Sequence, residues 1–114
     1  MLGTDRQRLK HIVSYCDEAE TFIARFGDDY GVFVSDRAYF NAVTMCILQI
    51  GELASNLSEE MKAATASEMN WSQIKGMRNI VAHHYGKIDF EIVWSVATID
   101  IPILRQFCDA NLEE

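Results

Sequence analysis

Apolar residues in this chain recur every third or fourth position over long runs, and little interrupts them. Phe40, Val43, Ile47, Ile50, Ala54 and Leu57 form one such series, the spacing that puts side chains on a single face of a helix. Leu9, Ile12, Val13, Cys16, Phe22, Ile23 and Phe26 form another, and Ile92, Val93, Val96, Ile99, Ile103 and Phe107 a third. No stretch alternates apolar and polar residues as a half-buried strand would, and the only proline is Pro102. The chain is therefore expected to be all-α, an antiparallel four-helix-type bundle forming a single domain over residues 1–114.

The punctuation gives the boundaries. Thr4 and Gln7 read as a capping box, opening a first helix from about Asp5 to Phe26 that stops at Gly27. The segment "GDDYGVFVS" reads as a loop with Ser35 as the next N-cap, and the second long helix runs to about Leu57. Ser58 with Glu59 and Glu60 suits the start of a short extra helix to about Thr65. Trp71 or Ser72 opens a third main helix ending before Gly86. Asp89 caps a fourth, which Pro102 should kink.

Composition excludes several classes. The N-terminal "MLGTDRQRLKHIV" has no signal-peptide core, and no uncharged run approaches the roughly 20 residues of a spanning helix, so a cytoplasmic protein is expected. Cys16, Cys46 and Cys108 are odd in number and sit among apolar neighbours, as buried thiols do, and no metal-ligand spacing is present. Neither metal nor cofactor is expected. The formal charge of −7 argues against a general polyanion binder. The window from Met69 to Ile88 is the exception: it contains no acid and carries Lys75, Arg78 and Lys87, leaving the rest of the chain at −10.

Inside that window lies "GMRNIVAHHYGKID". At about 100° per residue, Asn79 and His83 share one helix face, while Arg78 and Tyr85, seven apart, lie close together on another. An asparagine carbonyl can fix an imidazole tautomer, and an arginine can grip a phosphate with two parallel hydrogen bonds. A histidine can move a proton near neutral pH. Those are the requirements for attack of a ribose 2′-hydroxyl on the adjacent phosphate. Spacing alone favours a plainer role, because such residues also suit the negative end of a helix dipole.

The segment "RNIVAHHY" resembles, at each fixed position, the Arg-x4-His-x-Tyr motif of HEPN-domain toxins of the HepT-like kind, with Arg78, His83 and Tyr85 in the three places. "ILQIGELASNLSEE", "NWSQIKGMRNIVAHHYGKID" and "VWSVATIDIPIL" are similar to successive blocks of the same family. The resemblance implies a homodimer whose two motifs share a cleft, acting as a metal-independent endoribonuclease toxin on messenger or transfer RNA. It also implies an antitoxin partner of the MNT nucleotidyltransferase type, which in some systems adds AMP to the motif tyrosine, here Tyr85.

Arg78 and His83 are then the catalytic candidates, with Asn79, Glu52 and His84 in support. Glu52 is a charge in an apolar stretch, for which Arg78 is a candidate partner, with a place at the solvent edge as the alternative. His84, the motif's variable position, reads as an RNA contact or surface group, and His11 as structural. Two other functions fit the sequence: a non-catalytic nucleotide- or substrate-binding partner of a minimal nucleotidyltransferase, and a plain dimeric interaction bundle.

Overall fold

The computed structural model describes residues 1–82 and 89–113, the side chains of residues 80–82 excepted. Its helices run in order α1 (Gly3–Phe26), α2 (Tyr30–Ser35), α3 (Arg37–Ser55), α4 (Glu59–Ala64), α5 (Trp71–Ala82), α6 (Phe90–Ser95), a π turn (Val96–Asp100) and α7 (Ile101–Leu112). Among the described residues there is no strand, and no helix is long and apolar enough to cross a membrane.

Local chemistry sets the helix starts, and in several places it differs from the sequence reading. α1 begins at Gly3 with Leu2 in the cap position and no side-chain cap bond, so Thr4 and Gln7 lie inside the helix. Asp5 is taken up elsewhere: it is 1% exposed and accepts from the Ser58 backbone N–H at 2.8 Å and the Ser58 hydroxyl at 2.6 Å. Ser58 caps α4 in turn, accepting from Met61 N–H. One carboxylate thus joins the start of α1 to the start of α4.

The expected loop after Gly27 contains the short helix α2, capped by Asp29, and Asp36 rather than Ser35 caps α3. Both are aspartates, whose charged oxygens meet the exposed N–H groups of a first turn better than a hydroxyl does. Gly27 holds the positive φ of 121° that ends α1, and its carbonyl accepts from the Tyr39 hydroxyl at 3.0 Å, tying the end of α1 to the start of α3. Asp89 caps α6 as expected.

α3 is the central helix, packed on α1 and on α5, while α7 packs on the other flank of α1. Arg6 of α1 donates to the Leu112 carbonyl at 3.0 Å, which sets α1 and α7 antiparallel. One core of buried residues joins the helices, including Leu9, Ile12, Ile47, Ile50, Met77, Ile101 and Leu104. An aromatic cluster of Phe33, Tyr39, Phe40 and Trp94 closes one end. Burying side chains of this size contributes about 1.5–3 kcal/mol each before entropy is counted. The three cysteines are free and buried, and burial pushes the Cys46 and Cys108 thiols up to about 12.

The C-terminal helix departs most from its sequence pattern. Ile92, Ile99 and Ile103, read as part of one apolar stripe, are 45, 57 and 56% exposed, while Val93, Ala97, Ile101, Leu104 and Cys108 fill the core. For Ile99 and Ile103 the reason is the π turn, in which Ile101 N–H bonds to the Val96 carbonyl five residues back, whereas Ile92 lies ahead of that turn, at the edge of the α6 face that buries Val93. That widened turn precedes Pro102, which has no N–H and would crowd the carbonyl four residues earlier in a regular helix.

Candidate functional site

α5 carries the described half of the motif, and two anchors fix its start. Asn70 accepts from Gln73 N–H at 3.1 Å, capping the first turn. The Trp71 indole donates to the Thr65 hydroxyl at 2.8 Å, which itself donates to the Met61 carbonyl at 2.8 Å. The indole ring also meets Phe107 edge-on, at 5.5 Å between centroids. Trp71, Ile74 and Met77 point into the core, and Lys75 and Asn79 are exposed on the opposite face.

Arg78 falls between these faces, along the seam with α3. There its Nε forms an ion pair with Oε1 of Glu52, so the carboxylate in the apolar stretch of α3 meets the first residue of the motif. The two side chains are 38 and 43% exposed, and an ion pair that wet contributes at most about 1 kcal/mol to stability. Its main effect is orientation, because a guanidinium held at its Nε edge presents its plane in a defined direction.

Gly51 stands beside Glu52, buried against the same seam. A Cβ on Gly51 would lie 2.7 Å from Arg78 Cβ and 2.8 Å from Arg78 N. The backbones of α3 and α5 therefore approach closely at Arg78. The sequence reading passed over Gly51, since a glycine inside an apolar helix looks like a weak point until its neighbour is known.

His83, His84 and Tyr85 lie outside the described residues, as does the expected end of this helix before Gly86. The structure thus brings together Arg78, Glu52 and Gly51, with Asn79 one residue further along an exposed face. His11 is exposed on α1.

The profile of the family described as "Ribonuclease HepT-like" matches residues 12–110. The chain belongs to the HepT-like ribonuclease family. It is 32% identical over 106 residues to a protein of Caldanaerobacter subterraneus subsp. tengcongensis provisionally named an RNase, covering 92% of this chain and 91% of that one. A Methanocaldococcus jannaschii protein, also provisionally named an RNase, is 28% identical over 86% of this chain and 82% of its own length. A Thermococcus cleftensis protein provisionally named ribonuclease HepT is 29% identical over 64% of this chain and 66% of its own. No solved structure matches the chain significantly. The HepT-like membership makes this an endoribonuclease with an all-α HEPN-type fold.

Proposed function

We propose that this HepT-like protein is the toxin of a toxin–antitoxin pair, cutting RNA without a metal ion at a cleft shared by two copies of the chain. The observation that carries the reading is Arg78, the first residue of the Arg-x4-His-x-Tyr motif, oriented by Glu52 within a window that holds no acid. One histidine takes the proton from the ribose 2′-hydroxyl as it attacks phosphorus. Arg78 meets the charge that develops on the phosphoryl oxygens, and a second histidine protonates the departing 5′-oxygen. The products are a 2′,3′-cyclic phosphate and a 5′-hydroxyl end.

Two acid–base groups for one phosphate favour two motifs facing each other. The exposed row Ile92, Ile99 and Ile103 on the C-terminal helix offers apolar surface that a second copy can cover. His83, four residues after Asn79 in the sequence, is the main proton carrier with Asn79 to steer it, and His84 supports RNA binding. An MNT-type nucleotidyltransferase is the proposed antitoxin. AMP on Tyr85, seven residues after Arg78 in the motif, would add a tethered anion that competes with the RNA phosphate.

Purified protein incubated with total RNA and a chelator tests this reading, with end-group analysis of the products. Cyclic phosphate ends are expected from the wild type, none from His83→Ala, and a smaller loss from His84→Ala. Equal residual activity of the two folded histidine variants would show that the proton carrier is misassigned. Cleavage that stopped with chelator would remove the metal-independent mechanism.

A further inference from the structure

The geometry points to Gly51 as a positioning residue of the active site, one that sets where Arg78 stands through its missing side chain. This rests on the ribonuclease reading above. Gly51 is buried in α3, and the atoms nearest to its hypothetical Cβ all belong to Arg78: Cβ at 2.7 Å, N at 2.8 Å and Cα at 3.1 Å. Backbone atoms cannot turn aside as the end of a long side chain can. Any larger residue at position 51 must push α5 away from α3 at the residue that begins the motif.

The next residue, Glu52, pairs with the Arg78 guanidinium. Two consecutive residues of α3 therefore act on one residue of α5, Gly51 on its backbone and Glu52 on its charged end. A guanidinium must sit within a few tenths of an ångström of its place to favour a transition state over bound substrate. Gly76, on α5 itself, makes the contrast: a Cβ there meets nothing within 4 Å. Gly51 and Gly76 thus have opposite surroundings.

The test is RNA cleavage by the full chain carrying Gly51→Ala, Gly76→Ala, Arg78→Lys, or Gly51→Ala with Arg78→Lys, with folding followed by circular dichroism and thermal melting. Gly51→Ala should lower kcat by about 10²-fold with little change in KM, and Gly76→Ala should cut at the wild-type rate. Because Gly51 acts through Arg78, adding Gly51→Ala to Arg78→Lys should cost far less than it costs the wild type. Losses that multiply in the double variant, or a Gly51→Ala protein of full activity, would overturn the inference while leaving the ribonuclease site standing. If Gly51→Ala melts below the assay temperature, the same cycle is run at a temperature where that variant is folded by circular dichroism, and full activity or multiplying losses again overturn the inference. A wild-type protein that cuts no RNA would sink the site itself and this inference with it.

Discussion

Arg78 and Arg105 have nearly the same exposure, 38 and 35% of the side chain, yet their surroundings differ. Arg105, on α7, faces Asp17 at 2.8 Å and Glu20 at 3.0 Å, both on α1, and Asp109 of its own helix at 3.6 Å. Three carboxylates around one cation leave the spot negative, and an approaching phosphate would be repelled. Arg78 pairs with Glu52 alone among the described residues, and the sequence around it contains no acid. One arginine welds two helices together. The other is aligned by a single neighbour and stands where an anion can reach it.

Exchanging the residues at these positions should separate the two roles. The largest effect is expected from Arg78→Lys, which keeps the charge and loses the planar fork: cleavage should fall by roughly 10²-fold while stability changes by less than about 1 kcal/mol. Near-normal cutting by the lysine variant would erase the contrast, making Arg78 a general electrostatic contact. Arg105→Ala should do the reverse, lowering stability by about 1–2 kcal/mol through lost hydrogen bonds and unshielded carboxylates. The activity of the folded protein should be retained. A drop in cleavage without a drop in melting temperature would show that Arg105 also serves the RNA.

The smallest effect concerns Asp100, in the π turn, whose carboxyl is raised above its ordinary value by burial. A raised acid binds its proton more tightly in the folded state, so its contribution is greatest below the ordinary carboxylate range. It is lost as pH rises through the folded pKa. Asp100→Asn should therefore melt slightly above the wild type at neutral pH, with the gap closing in acid. A gap that widened on acidification would show that Asp100 is stabilised as the anion.

The parts of the molecule written as local patterns were legible in the sequence. The stripe from Phe40 to Leu57, which α3 carries as far as Ala54, is buried, and Ser58 and Asp89 cap the helices they precede. Ser35 reads as the cap of α3, but its neighbour Asp36 takes that place. Ile99 and Ile103 were misread because a regular period cannot register a wide turn in mid-helix. At the site, the charge of Glu52 drew attention from the sequence alone. Gly51 gave no such signal, since its importance lies in the 2.7 Å between its missing Cβ and a residue of another helix.

The π turn has a consequence for chain length. A widened turn holds one residue more than the α-helical path it replaces, so α6 and α7 can each keep their faces on the core although the count between them is irregular. Dropping one residue between Val96 and Asp100 would return that stretch to a regular helix without rotating either flank. In that regular helix, however, Pro102 would meet the preceding carbonyl, at a cost of about 3 kcal/mol. The surplus residue therefore accommodates the proline, and a homologue that lacks the surplus residue should be found to lack the proline as well.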